Sequence, residues 1–165
     1  MEQRPKLKPE LTSADILLEI AGWLALAALW IIVLFYFKEL PDNIPTHFNA
    51  AGKADDTGSK GTFFILPSLT TFTFLLMTVL NRFPHVFNYP VSITAATAMR
   101  QYTLATRLIR VMKLSINIIF LLVSISIVNS ALNDEAGTGI WFLPLILAFT
   151  IIPLIFYIIK SRKEK

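Results

Sequence analysis

ILLEIAGWLALAALWIIVLFYF, residues 16–37, decides the fold. Glu19 is its only charge, and a helix of this length rising 1.5 Å per residue covers a hydrocarbon core of about 30 Å. A secretory signal would stop after about 7–15 apolar residues and offer a small-residue cleavage site. This run instead ends in Phe35, Tyr36, Phe37 and Lys38, an aromatic belt followed by a cation, so it reads as an uncleaved membrane anchor.

The rest of the chain agrees. Of its 165 residues 55% are hydrophobic and 16% charged, against about a quarter charged in soluble domains. The apolar residues come in blocks, not at amphipathic spacing. Further spans are expected near 63–80, 114–132 and 139–159, the last interrupted by Pro144 and Pro153. Together they make one membrane domain over residues 1–165, all-α, with four transmembrane helices. The absence of cysteine excludes a disulfide scaffold, thiolate zinc and cysteine nucleophiles.

Twelve of the fifteen cations fall in three places: the N-terminal tail, the segment 82–113 and the C-terminal tail. By the positive-inside rule these are cytoplasmic, which leaves the loop 38–62 outside. The tail before Ser13 reads as flexible, with Thr12 or Ser13 capping a helix that carries Asp15 in its first turn. Thr94 starts a basic amphipathic helix at the headgroup boundary, whose Arg100, Tyr102, Arg107 and Arg110 face the cytoplasm or lipid. Asn133–Thr138 is a short acidic loop with Asp134 and Glu135. Basic residues beside spans suit anionic lipid headgroups, not nucleic acid.

Glu19 lies one turn from the cytoplasmic end, where it can reach headgroups, although an ionisable group in a span is a functional candidate. Asn117 and Asn129 are expected to donate hydrogen bonds between helices. Thr71 and Thr78, seven apart, share a face for packing. His85 belongs with the aromatic residues of the Phe83–Tyr89 stretch.

The loop ELPDNIPTHFNAAGKADDTGSKGT, residues 39–62, holds the candidate site. Its prolines force extended backbone around Asp42 and Asn43, and Asp55, Asp56, Thr57 and Gly58 offer a second turn. Such a loop without regular structure is functional or disordered, and its turn chemistry argues for order. Phe48 anchors it on the tops of the spans. Three readings of His47, Asp55 and Asp56 stand side by side. They satisfy loop backbone groups, form part of an outer binding surface, or hold a metal. The metal reading lacks the three or four regularly spaced ligands of a zinc site. With no nucleophile motif or phosphate-binding glycine loop, nucleophilic catalysis has no support, and no cofactor is expected.

Residues Leu40, Pro41, Ile44, Pro45, His47, Phe48, Asn49, Gly52, Asp55, Gly58 and Lys60 resemble the signature of a bacterial and archaeal membrane family, domain of unknown function 1648. Thr57 stands where an aromatic is usual. PHVFNYPVSITAATAMRQY, residues 84–102, is similar to that family's cytoplasmic stretch, with Thr97 in place of its Asn. The resemblance implies a multi-pass protein of the prokaryotic plasma membrane. Its relatives include immunity proteins against a sporulation-delaying toxin, which also signal by holding a repressor at the membrane. This chain is shorter than those relatives. The expected function is therefore immunity or signalling of that general type, with Pro45, His47, Phe48, Asn49, Gly52, Asp55 and Lys60 recognising a toxin peptide or protein and a cytoplasmic regulator as a further partner. The alternative is a small metal-dependent enzyme or carrier built on His47 with Asp55 or Asp56.

Overall fold

A computed structural model describes residues 4–133 and 137–163. Four helices account for most of it: α1 Ser13–Tyr36, α2 Ile65–Leu80, α3 Ala98–Asn133 and α4 Phe142–Lys163. A 3₁₀ turn, Lys60–Phe64, extends α2, and each of the four is then long and apolar enough to cross a bilayer. Their outward faces carry Leu17, Leu24, Ile31, Phe72 and Phe156, each more than 60% exposed. Such a surface needs lipid as its solvent. The chain is a multi-pass membrane protein.

Thr12 caps α1. Its Oγ1 accepts from Asp15 N at 3.3 Å, and its own amide donates to Asp15 Oδ2 at 3.0 Å, a reciprocal capping box. Along α1 the buried positions Asp15, Gly22, Leu26, Leu29 and Val33 form one stripe. That stripe packs on α3, which runs parallel to α1, and the core closes around Leu29, Val33, Leu40, Ile44, Phe63, Ile127 and Val128. Gly22 lets Phe74 of α2 approach so closely that a methyl group there would sit 3.0 Å from the ring. The threonine hydroxyls of α2 are paired within their own helix. Thr70, Thr71, Thr73 and Thr78 each donate to the carbonyl four residues back, which satisfies them inside hydrocarbon. Thr71 also accepts from Trp30 Nε1 at 3.0 Å, so the Thr71–Thr78 face does meet its neighbours.

Three features differ from the sequence expectation. The fold is not all helical: residues 43–48 and 54–59 pair as a two-stranded antiparallel sheet, β1 Asn43–Phe48 and β2 Ala54–Ser59. Secondly, the basic segment and the third span are one unbroken helix of 36 residues, because neither Gly nor Pro occurs between Ala98 and Asn133 to stop it. At 1.5 Å per residue it is about 54 Å long, so it outreaches a hydrocarbon core of about 30 Å. Thirdly, the N-terminal tail is held. Arg4 donates to the carbonyls of His85 and Phe87, and the Pro5 carbonyl accepts from Tyr102 OH at 3.0 Å. Asp134 and Glu135, expected in an acidic loop, lie outside the described residues.

Thr94 and Thr97 open α3 with reciprocal bonds, Thr94 N to Thr97 Oγ1 at 3.0 Å and Thr97 N to Thr94 Oγ1 at 3.3 Å. The hydroxyl at 97 thereby fills a capping role. At the far end of the bundle the hairpin of β1 and β2 meets the α3–α4 connection. The molecule thus has a hairpin end and an opposite end that gathers residues 4–12, 81–97 and the start of α3.

Candidate functional site

The hairpin is built by its turn. Asn49 Oδ1 accepts from Ala51 N at 2.9 Å and Lys53 N at 3.2 Å, and the Asn49 carbonyl accepts from Gly52 N at 2.8 Å. Gly52 takes φ +73°, open to glycine at no steric cost. A side chain there is excluded twice, since a Cβ would lie 2.3 Å from the Gly139 carbonyl oxygen. Gly52 O in turn accepts from Thr138 N at 2.8 Å. Phe48 packs against the core and beside Gly137. The tip of the hairpin is therefore seated on the α3–α4 connection, two glycine-bearing loops back to back.

At its base the hairpin is closed by Lys60. The ammonium lies 3.1 Å from Asp42 Oδ1 and donates to Leu40 O at 3.3 Å. Pro45 is buried with Ile44. Its missing N–H falls beside a register shift between Pro45 and His47, the kind of place where a strand tolerates proline.

His47 and Asp55 come together across the strands, Nδ1 to Oδ1 at 2.5 Å, with side chains 65% and 42% exposed. This contact holds an imidazole that is largely exposed on the hairpin surface. Asp56 does not join them; its Oδ1 accepts from Thr57 N at 2.8 Å. Among the described residues no three His, Asp or Glu side chains converge. What this surface offers is an oriented imidazole, two carboxylates and a free strand edge. Strand β2 is exposed along almost its whole length, and among the described residues it pairs with β1 alone.

A second cluster lies toward the opposite end, and sequence reasoning reached its members only one by one. Asp15, 1% exposed, takes Arg107 through two contacts, Nε at 2.9 Å and Nη2 at 3.0 Å. Arg110 lies 3.7 Å from Asp15 and 3.1 Å from Glu19. Lys113 donates to Glu19 Oε2 at 2.7 Å and Thr78 Oγ1 at 2.9 Å, above the Phe74 ring. One turn on, Asn117 Nδ2 donates to Gly22 O at 2.8 Å, the interhelical bond its position suggested. The result is a polar ladder down the α1–α3 seam.

Within the ladder Arg110 is buried, and Arg107 is held to α1 by its bonds to Asp15 and Thr12. Tyr102 is fully buried, and Arg100 alone of the four named residues is exposed. Glu19 meets Arg110 and Lys113. The acidic pair at 15 and 19 lies on one face of α1, and 110, 113 and 117 lie on one face of α3. That matched spacing was the available signal.

Comparison with known proteins agrees with the signature around His47. The family model described as "Domain of unknown function (DUF1648)" matches residues 23–71, from mid-α1 through the hairpin into α2. The resemblance is thus shown over the stretch that carries the motif. An uncharacterized protein of Archaeoglobus fulgidus is 36% identical over 75 residues. That match covers 41% of this chain and 41% of the relative, so the chain aligns with less than half of the protein it resembles. No solved structure matches.

Proposed function

We propose that the chain is a binding protein of the prokaryotic plasma membrane, of immunity or signalling type, whose outward-facing hairpin captures an extended peptide or protein segment. One observation carries this reading: β2 presents an exposed, unpaired edge on a hairpin held rigidly at tip and base. An extended ligand can add to such an edge by backbone hydrogen bonds, while neighbouring side chains supply specificity. His47, Asp55 and Asp56 are the side chains placed to do so. The cation distribution supports the orientation, since only Lys38, Lys53 and Lys60 belong to the hairpin end. A ligand of the toxin-peptide kind, arriving from outside, fits that geometry.

A photo-crosslinking residue at Thr57 tests it in cells. Thr57→p-benzoylphenylalanine is expected to give a discrete adduct that Asp55→Ala removes at equal membrane levels. The same probe at Leu147, on the lipid face of α4, is expected to give none. No adduct at Thr57, or one shared with Leu147, overturns the proposal.

The His47–Asp55 contact is the one observation favouring a metal-dependent alternative. Elemental analysis separates the two readings: stoichiometric metal that disappears in His47→Ala favours the second.

A further inference from the structure

Between α3 and α4 runs an apolar groove, formed by two adjoining cavities of about 270 and 360 Å³ that share Val111, Ile152 and Pro153. On the α3 side Leu104, Leu108, Leu114 and Ile118 continue it. Arg107 and Lys160 stand at one end, and apart from Tyr157 and Ser115 the other lining side chains are apolar. From Arg107 to Ile118 is eleven residues of helix, about 16 Å at 1.5 Å per residue, or half a hydrocarbon core of about 30 Å. The groove is one leaflet deep.

The charge at its mouth is not balanced from within. Asp15 and Glu19 face three cations, Arg107, Arg110 and Lys113, so the ladder keeps one positive charge over. Arg107 spends Nε and Nη2 on Asp15 and Thr12, which leaves Nη1 for another acceptor. Lys160 rests over the Phe156 ring and makes no ion pair among the described residues. Two cations with spare capacity at the head of a leaflet-deep apolar groove match a phosphate joined to an acyl chain.

We propose that this groove is a binding site for one anionic phospholipid, with its phosphate held by Arg107 and Lys160 and an acyl chain lying along α3 and α4. The site is separate from the hairpin and does not depend on what the hairpin recognises. It differs from a diffuse attraction of basic segments to the bilayer, because it assigns the two halves of the ligand to different residues. Lys160 sets the preference for negative headgroups. The apolar walls set retention of any lipid.

Native mass spectrometry of the full chain in detergent, titrated with phosphatidylglycerol and phosphatidylcholine of equal chain length, tests both halves. Wild-type protein is expected to hold one phosphatidylglycerol in preference to phosphatidylcholine. Lys160→Gln, outside the ladder, lowers that preference by about fivefold, the effect of one cation near an anionic surface. Ala148→Trp fills the groove from an exposed position; it weakens retention of both lipids and leaves their ratio unchanged. Arg100→Gln, exposed and outside the groove, changes neither. Equal binding of the two lipids by wild type overturns the proposal. So does an Arg100→Gln effect as large as that of Lys160→Gln, which would make the attraction a property of the whole basic surface. Thermal unfolding of each variant alongside wild type confirms that the comparison is between folded proteins.

Discussion

Lys113→Met removes the innermost rung of the charge ladder while nearly keeping the side chain's volume. The lysine side chain is 1% exposed and its ammonium serves Glu19, Thr78 and the face of Phe74. Without it Glu19 keeps only Arg110, at 3.1 Å. Breaking one partner out of a buried pair costs roughly 3–5 kcal/mol, because the remaining charge stays desolvated. Glu19 is a quarter exposed, which allows partial relief and places the expected loss near the lower figure, about 3 kcal/mol. Removing both charges is different in kind. Glu19→Gln with Lys113→Met leaves Arg110 leaning on Asp15, and replacing a whole buried pair is often close to neutral. The double variant should therefore be more stable than Lys113→Met alone, with a coupling energy of about 2 kcal/mol between the sites. Reversible unfolding in mixed micelles, followed by circular dichroism, measures all four corners of the cycle. If the single losses simply add, with coupling under about 0.5 kcal/mol, the two groups are separately solvated and the ladder does not hold α1 to α3.

Gly52→Ala should destabilise more than Gly139→Ala. Both positions have φ near +75° and share a strain of about 1–3 kcal/mol, but only the first drives a methyl group into a neighbouring backbone. Equal losses in thermal unfolding would mean the hairpin tip is not seated on the α3–α4 connection. Burial, helped by Tyr157 and Tyr102, pushes the Tyr89 phenol above its usual range. Its neutral form is the folded one, so this stability is intact below the unfolded value of about 10 and is lost as pH rises beyond it. Unfolding midpoints should fall above that pH with a shallower slope in Tyr89→Phe, and an unchanged slope would remove Tyr89 as the cause. Because the chain has no cysteine, His47→Cys and Arg100→Cys can each be labelled in intact cells with a membrane-impermeant maleimide. Only the first should react; labelling of both, or of Arg100→Cys alone, would overturn the proposed layout.

The four spans were plain in the sequence because each apolar block is long enough to read without a partner. The hairpin was not. Ala54–Ser59, ADDTGS, is poor in strand formers and Pro45 sits inside its mate, so the strands exist through their turn at Asn49–Lys53 and the packing of Ile44. The division of α3 into a surface helix and a span followed its change from basic to apolar character, yet composition does not end a helix where no residue breaks it. The ladder was hidden for another reason. Asp15 and Arg107 are 92 positions apart, and each basic side chain taken singly looks like a headgroup ligand. Only the parallel packing of α1 on α3 turns five separate charges into one network.

α3 carries a mechanical implication. It is a stiff rod without a proline or glycine joint, touching the hairpin's support at one end and the tail around Arg4 and Pro5 through Tyr102 at the other. A push that β1 delivers to the upper part of α3 meets no such joint along the helix, so tilt of the whole shaft is the motion it favours, reaching the far end where Tyr102 OH donates to the Pro5 carbonyl.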